Sequence, residues 1–278
     1  MTPAVTAQSI AAPLAEALAA RPFRGRVLGV FRRACNLVDP QGRVVALVLP
    51  EVGNGPFAAV LSAGVGLFDT LSPGMAAYGN ARQIRVGPLH IALDEAVRWT
   101  PRLPLPAHPL NISLILPLLE DYADWPRPDS EAAMARQMGE QAGEAAARLS
   151  RSLATRTPGD ALAEAAARLA GLGNGLTPAG DDFLLGVMAA LWLVGKGHLV
   201  PAIVAASAPR TTALSRAFLE AAGRGEFIEP WHRLVRAWQA ENLPELAAAV
   251  EKVADFGASS GRDALAGFAR TLQAGQER

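Results

Sequence analysis

Cysteine is almost absent from the sequence, since Cys35 is the only one among 278 residues. A single thiol excludes a disulfide within the chain and any metal site made from several cysteines. The four histidines, His90, His108, His198 and His232, are scattered, and no two of them have metal-ligand spacing. We therefore expect Cys35 to be buried and the histidines to be ordinary core or surface residues.

An excess of either charge is also absent. Lys and Arg together number 26, Asp and Glu together number 26, and no long run of one sign occurs. Proteins that bind nucleic acids or anionic membranes carry basic runs or patches, so we expect neither partner here. The first twenty residues lack the basic start and compact apolar core of a signal peptide, so we expect a cytoplasmic protein. Its partners should be small molecules or other proteins.

Apolar runs of membrane length are missing as well. The best candidate, residues 183–194, has twelve residues, whereas a helix that crosses a bilayer needs about 20. Half of all residues are apolar, at 50%, and a chain of this length can bury a substantial core. The run therefore predicts a buried helix.

What the sequence does contain changes in character near residue 120. The change predicts an α+β fold with a mainly β domain over residues 1–120 and a helical domain over residues 121–278. Apolar runs bounded by Gly, Pro, Asn or Asp predict strands that begin near residues 26, 43, 57, 82 and 89. Residues rich in Ala, Leu, Glu and Arg predict helices that begin at Ser130, after Pro158, at Thr177, near Thr211, after Pro230, after Pro244 and near Ser259.

Three segments rich in proline or glycine predict connections. Residues 39–42, Asp-Pro-Gln-Gly, should form a turn between two strands. Residues 53–57, Gly-Asn-Gly-Pro-Phe, are typical of a hairpin connection, and a ligand site that uses Asn54 and Gly55 is the alternative. Residues 100–109 contain four prolines and should form an extended loop.

Residues 171–182, GLGNGLTPAGDD, form the most unusual segment. Thr177 has the side chain of an N-cap and Pro178 suits the first helical position, so we expect a helix to start there. Asp181 and Asp182 then lie in its first turn, where the helix dipole favours negative charge. A cap leaves the glycines unexplained, because glycine at such density indicates positive φ or a close approach to a ligand or another segment. We therefore interpret the segment as a binding site.

The same pattern limits the kind of ligand. A glycine-rich loop that leads into a helix is the usual cradle for phosphate, but this one lacks the Lys-Ser/Thr ending of a P-loop and the glycine spacing of the dinucleotide motif. Its two aspartates would repel a bare anion. Two interpretations remain: a ligand with both N–H groups and carboxylate or phosphate oxygens, or Mg²⁺ held by Asp181 or Asp182 and bridging to phosphate.

Residues 257–268, GASSGRDALAGF, repeat part of this pattern, because both stretches contain Gly-x-Asp-x-Leu-x-Gly. Ser259 or Ser260 would cap the second helix, and Ser260 with Asp263 is close to a capping box. In each helix the last glycine lies on the face of the aspartate, where another helix could approach closely. We hypothesise that both helix starts face one cleft, to which Gly261 and Asp263 contribute. Two ordinary capped helices are the alternative.

Hydroxyl groups mark a further predicted helix start. Thr211, Thr212 and Ser215 lie within five residues of one another. Capping alone would account for them, and the short segment carries no specific signature by itself.

These motifs together resemble a known family. The stretch GLGNGLTPAGDDFLLG is similar to the G-x-G-x-G-L-T-P-S-G-D-D signature of the AllH-type proteins, with Ala179 where serine is usual. Residues 53–57 resemble the early turn of that family, Thr211 and Thr212 with Ser215 its central helix start, and residues 259–263 its closing motif. The long motif is specific, and the resemblance extends over most of the chain.

The resemblance implies a subunit of oxamate carbamoyltransferase that acts late in allantoin catabolism, together with other subunits. In that reaction phosphate attacks the carbamoyl group of oxalurate and gives carbamoyl phosphate and oxamate. Asp181, Asp182 and Asp263 are the implied catalytic residues and would contact ureido N–H groups or a metal ion. The implied substrate-binding or anion-binding residues are Gly173, Asn174, Gly175, Leu176, Thr177, Gly180, Asn54, Gly55, Thr211, Thr212, Ser259, Ser260 and Gly261.

Two other functions fit the same residues. The chain could be a non-catalytic subunit that binds a ligand or a partner segment through the glycine loop. It could instead be a magnesium-dependent phosphotransfer enzyme. Because no residue is an obvious covalent nucleophile, any catalysis would depend on positioning and on stabilising developing charge.

Overall fold

Strands and helices segregate along the chain, and the predicted α+β class is confirmed. The computed structural model describes residues 5–125, 133–154 and 159–276. Contacts divide the chain into two units, Met1–Arg102 with Glu226–Glu229 and Leu103–Gly225 with Pro230–Arg278.

The described part of the first unit forms one nine-stranded sheet and one helix, α1 (Ala12–Ala20). The strand order is β5-β4-β3-β2-β6-β7-β8-β1-β9, and β1 also pairs with β5, so the sheet closes on itself. The strands are β1 (Val5–Ala11), β2 (Phe23–Val30), β3 (Ala34–Val38), β4 (Val44–Val48), β5 (Ala58–Leu61), β6 (Ala76–Gly79), β7 (Gln83–Val86), β8 (Leu89–Ala92) and β9 (Val97–Trp99).

The core of this unit follows the strand alternation. In β7 and β8 buried residues alternate with exposed or partly exposed ones, as expected for a sheet with one wet face. Strands β4 and β5 are buried along their whole length, and their residues divide between two apolar clusters, one on each face. Cys35 is fully buried in the larger cluster, which confirms its expected position.

The two predicted turns of this unit have different outcomes. Gly42 has φ +83° and donates its N–H to the carbonyl of Asp39 at 3.0 Å, which confirms a turn between β3 and β4. Residues 53–57 do not form a hairpin connection, because β4 and β5, which flank them, are parallel. A hairpin turn can join only antiparallel neighbours, so that prediction was wrong.

The second unit is helical. Its helices are α2 (Ile112–Ile115), α3 (Ala133–Ala154), α4 (Gly159–Leu169), α5 (Ala179–Leu193), α6 (Val200–Ser207), α7 (Ala213–Gly223), α8 (Glu229–Gln239, whose first residue belongs to the first unit), α9 (Leu243–Ala254) and α10 (Ser260–Gln276). Short 3-10 helices cover Leu116–Tyr122, Gly197–Leu199 and Ala208–Arg210. The predicted starts at Ser130 and after Pro158 involve residues outside the described part.

Several helix starts differ from prediction by one or two residues. Helix α5 begins at Ala179 with Pro178 as its N-cap, so the prediction of Thr177 as the cap was wrong. Helices α8 and α9 begin before Pro230 and Pro244 rather than after them. Proline is tolerated throughout the first turn because the N–H groups there have no partner within the helix.

Helices α5 and α10 approach each other at glycine. A Cβ atom on Gly186 would lie 1.7 Å from the carbonyl oxygen of Ala264, and one on Gly267 would lie 2.0 Å from that of Phe183. The two contacts are equivalent, because each carbonyl belongs to the residue after the aspartate of the repeated motif. The repeated Gly-x-Asp-x-Leu-x-Gly pattern is therefore the sequence counterpart of a symmetric helix crossing.

We expect Gly186→Ala to lower the free energy of unfolding by about 3 kcal/mol, because backbone atoms block the new methyl group. Gly275→Ala is the matched control in α10, where a Cβ atom meets nothing within 4 Å. It should be neutral or slightly stabilising, since alanine favours helix. Urea unfolding of both variants measures the difference, and equal stabilities would contradict this account of the crossing.

Candidate functional site

The glycine loop before α5 has a constrained backbone. Gly171, Gly173 and Gly175 have φ values of +74°, +122° and +88°. A Cβ atom would lie 2.7 Å from the carbonyl oxygen of Arg210 at Gly171, and 2.6 Å from the amide nitrogen of Ala179 at Gly173. The first two glycines are therefore required both by conformation and by close backbone contacts. At Gly175 the space is open, and only the conformation requires glycine.

The backbone N–H groups of this loop are available to bind a ligand. The N–H groups of residues 173–177 and of Ala179 donate no hydrogen bond to any other residue in the described ranges. Asn174 and Gly175 are exposed, and their neighbours in the loop are partly exposed. Residues with positive and negative φ alternate here, which is the pattern of backbone nests that turn successive N–H groups toward an anion.

Asp181 holds this loop in place. The side chain is fully buried, and one carboxylate oxygen accepts the N–H of Gly171 at 3.0 Å. The other accepts the hydroxyl of Thr211. Burial raises the pKa of Asp181, and these two hydrogen bonds act in the opposite direction. Both oxygens of Asp181 are thus bonded within the protein.

Thr212 provides a second attachment. It is the N-cap of α7, where its hydroxyl oxygen accepts the N–H of Ser215 at 3.1 Å, so the capping prediction is confirmed. The same hydroxyl donates to the carbonyl of Leu176 in the glycine loop. Thr211 and Thr212 therefore attach the loop to the start of α7.

Asp182 has different surroundings. It is 3% exposed, and its Oδ2 atom has no hydrogen-bond partner among the described residues. Burial raises the pKa of Asp182 well above its usual range, and the charge of Asp263 adds to the effect, while the hydroxyls of Ser260 and Thr177 lower it. These two hydroxyls also bond to each other at 3.0 Å. Thr177, at the end of the glycine loop, thus lies beside the buried carboxyl.

Asp263 completes this group from α10. The indole N–H of Trp125 donates to its Oδ1 atom at 2.7 Å. The ring of Trp125 packs on Phe183, the residue after Asp182, with ring centroids 4.4 Å apart. The hypothesis that the starts of α5 and α10 lie together therefore agrees with the geometry, whereas their joint contribution to a ligand site stays a prediction. Trp125 was missed because no local signal connects it to either motif.

The remaining candidates of the second unit have backbone roles. Gly180 donates its N–H to Leu172, and a Cβ atom there would lie 2.1 Å from the carbonyl oxygen of Leu169. Gly261 makes the equivalent close approach to Val253, at 1.8 Å. The carbonyl of Ser259 accepts the N–H of Asp263. In both copies of the repeated motif, the first glycine thus allows the end of the preceding helix to pack closely against the start of the next one.

Asn54 and Gly55 belong to the first unit. The backbone N–H and the side-chain amide of Asn54 donate to Glu229 Oε2 at 3.1 and 2.9 Å, and Ser9 donates to Asn54 Oδ1 at 2.6 Å. A Cβ atom on Gly53 would lie 3.1 Å from the same Glu229 oxygen. Glu229 was missed, because 175 residues separate it from Asn54 along the chain.

The described residues contain neither a cluster of metal ligands nor a membrane-spanning helix. Within these residues no group of three or more His, Cys, Asp or Glu side chains is arranged to hold a metal ion. No helix in the same part of the chain is long and apolar enough to cross a membrane.

The fold and site define an α+β protein whose helical unit carries a glycine-rich loop beside two neighbouring acidic side chains. A family model described as oxamate carbamoyltransferase subunit AllH matches residues 169–272, and a model of the AllH family N-terminal domain matches residues 6–98. The chain belongs to the AllH family. The description of the family as a subunit implies other subunits as partners. No solved structure matches the chain.

We expect Thr211→Val to lower the free energy of unfolding by about 1–3 kcal/mol, because a buried oxygen of Asp181 loses its hydrogen bond. Thr211→Ser keeps the hydroxyl and should retain most of the stability. Urea unfolding at neutral pH compares the two variants. If valine and serine had the same effect, the attachment of the loop through Asp181 would be refuted.

We expect Asp182→Asn to stabilise the protein at neutral pH by roughly 0.5–2 kcal/mol, as is common when a costly functional group is replaced. A carboxyl with a raised pKa in the folded state favours folding most below its ordinary pKa of about 4, and this contribution is lost as the pH rises. The stability advantage of the variant should therefore widen from pH 4 to pH 7.

Thermal unfolding across this pH range measures the effect. Asp255→Asn is the control, because it removes the same charge at an exposed position of the same unit. A constant difference between wild type and Asp182→Asn over the whole range would show that Asp182 has an ordinary pKa.

Proposed function

We propose that this chain is the substrate-binding subunit of a cytoplasmic oxamate carbamoyltransferase of allantoin catabolism. It would act with partner subunits on oxalurate and phosphate and give oxamate and carbamoyl phosphate. The position of Thr177 supports this most. Thr177 belongs to the loop whose N–H groups have no hydrogen bond within the described residues, and its hydroxyl lies beside the buried carboxyl of Asp182.

The ligand chemistry agrees with this arrangement. Oxalurate carries a carboxylate and ureido N–H groups, and phosphate is an anion. Amides of residues 173–177 would bind the anionic oxygens, because backbone N–H groups in a nest favour negative charge. The carboxyl groups of Asp182 and Asp263 would accept the ureido N–H bonds. A ligand with both kinds of group avoids the repulsion that a bare anion would meet.

The other candidates would act through these groups. Asp181, Thr211 and Thr212 hold the loop and would be positioning residues, since their polar atoms bond within the protein. Catalysis would then consist of orienting phosphate toward the carbamoyl carbon and stabilising the charge that develops there. Ala179, in place of the usual serine, removes a hydroxyl next to the loop and is the position where substrate preference would differ.

Mg²⁺ is the alternative occupant. Oxygen ligands suit it, and Asp182 is the better candidate ligand, because both oxygens of Asp181 already accept hydrogen bonds. A magnesium-dependent phosphotransfer enzyme would bind phosphate compounds only together with the metal. The ligand experiment below therefore includes Mg²⁺ alone and in combination.

We expect oxalurate, oxamate or carbamoyl phosphate to raise the melting temperature of the purified protein. A ligand at 100 times its dissociation constant stabilises by about 2.7 kcal/mol, a shift of a few degrees at this chain length. Gly175→Ala should abolish the shift because it distorts the amide loop. Gly195→Ala is the matched control, since both glycines have positive φ and open space around a Cβ atom, and it should keep the shift.

The outcomes separate the candidate functions. A shift that requires Mg²⁺ and a phosphate compound favours the phosphotransfer enzyme. If no compound shifts the protein alone, the same measurement and a turnover assay are made on the complex with its partner subunits. A complex in which Gly175→Ala leaves oxalurate turnover unchanged would refute the proposal and favour a non-catalytic assembly subunit.

A further inference from the structure

Four neighbouring strands of the first unit carry a row of basic and aromatic side chains. Arg24 of β2 lies opposite Tyr78 of β6. Tyr78 also lies opposite Arg85 of β7, which in turn lies opposite His90 of β8. Side chains directly opposite one another in a sheet share one face. Because neighbouring strands are about 4.8 Å apart, the row is roughly 14 Å long.

This row lies on the outside of the sheet. Arg24, Arg85 and His90 are exposed, and Tyr78 is partly exposed. Apolar residues at the alternate positions of all four strands are buried in the larger apolar cluster. Arg26, two residues after Arg24, is exposed and points to the same side as Arg24. We call these five residues the basic face.

No carboxylate compensates the basic face. Its three arginines form no ion pair with any residue that the structure describes. Arg85 donates instead to the neutral side chain of Gln83, at 3.0 Å. The positions beside the row are small and uncharged, because Arg26 lies opposite Ala76 and Gln83 lies opposite Ala92. The outside of these strands is therefore flat and positively charged.

The sheet itself does not require these charges. Charged side chains on edge strands protect a sheet from aggregation, but β2, β6, β7 and β8 each pair with a strand on both sides. Like charges on facing strands destabilise a sheet. A basic face that gives the fold no ion pair and protects no edge indicates contact with a negatively charged partner.

The composition of the face favours a protein as this partner. Residues 1–102 contain ten arginines and no lysine, against six acidic residues. Arginine and tyrosine are enriched at protein interfaces, whereas lysine is depleted, and Tyr78 lies within the row. Nucleic acids and anionic membranes attract proteins of large positive charge, but the whole chain has a net charge of zero.

We propose that the basic face binds an acidic surface of a partner subunit of the carbamoyltransferase. The proposal goes beyond the proposed function, because it requires the partner that the family description implies but neither the substrates nor the glycine loop. Complementary charges fix the orientation of two proteins and accelerate their association. Association of the subunits should therefore slow as the salt concentration rises.

Binding of the full-length chain to the purified partner subunits, followed by surface plasmon resonance, tests the proposal. Arg24→Glu combined with Arg85→Glu should raise Kd by about 100-fold, because like charges across an interface strongly disfavour binding. Glutamine at both positions removes only the attraction and should have a smaller effect. Arg32→Glu with Arg33→Glu is the matched control. It makes the same charge change at exposed positions between β2 and β3 and should keep the wild-type Kd.

The melting temperature of each variant, which should stay that of wild type because the substituted residues are exposed, excludes unfolding as the cause. Equal affinity of wild type and the Arg24/Arg85 glutamate variant would refute the proposal, as would a wild type that does not bind the partner subunits. Two further results would also overturn it if partner binding is unchanged: loss of binding to RNA or anionic vesicles, and loss of self-association.

The second of these results would identify another copy of this chain as the occupant, since residues 103–278 carry more acidic than basic residues. Turnover of oxalurate does not enter the measurement. A complex that forms through the basic face but does not act on oxalurate would support this proposal and refute the proposed function. The two can therefore fail separately.

Discussion

The crossing of α5 and α10 at Gly186 and Gly267 is the constraint on which the site depends. Backbone carbonyls occupy the space of both missing side chains, and the helix starts are therefore held together. Because each aspartate lies one turn before its glycine, the crossing also places Asp263 where its charge raises the pKa of Asp182. A close contact between two helix backbones thus fixes the position of two acidic side chains, one of which raises the pKa of the other.

The loop before α5 is held by a different principle. Asp181 is buried, and its two carboxylate oxygens accept hydrogen bonds from Gly171 and Thr211, so both serve to hold the structure. Thr212 adds a second attachment at Leu176. These attachments use only the N–H of Gly171 and the carbonyl of Leu176. The N–H groups of residues 173–177 therefore make no hydrogen bond to the described residues although the loop is held in place, and they can bind a ligand. The two adjacent aspartates therefore have separate tasks.

Sequence patterns predicted the class of fold, the burial of Cys35, the turn at residues 39–42 and the cap at Thr212, because each depends on neighbouring residues. The predictions were wrong where the local sequence is compatible with more than one structure. Thr177 has the chemistry of a cap, yet its hydroxyl contacts Ser260, and Pro178 takes the cap position. The turn at residues 53–57 has hairpin residues but joins parallel strands, since strand direction is decided by the whole sheet.

The sequence by itself determined the glycine positions, the adjacent aspartates and the repeated motif, and with them membership of the AllH family. Only the tertiary structure decided what each aspartate does. Asp181 and Asp182 are identical in type and adjacent in the chain, but a helix turns successive side chains by about 100°. One therefore faces Thr211 and the loop, and the other faces Asp263 and the hydroxyls of Thr177 and Ser260. Burial and neighbours, which no linear pattern records, set their different chemistry.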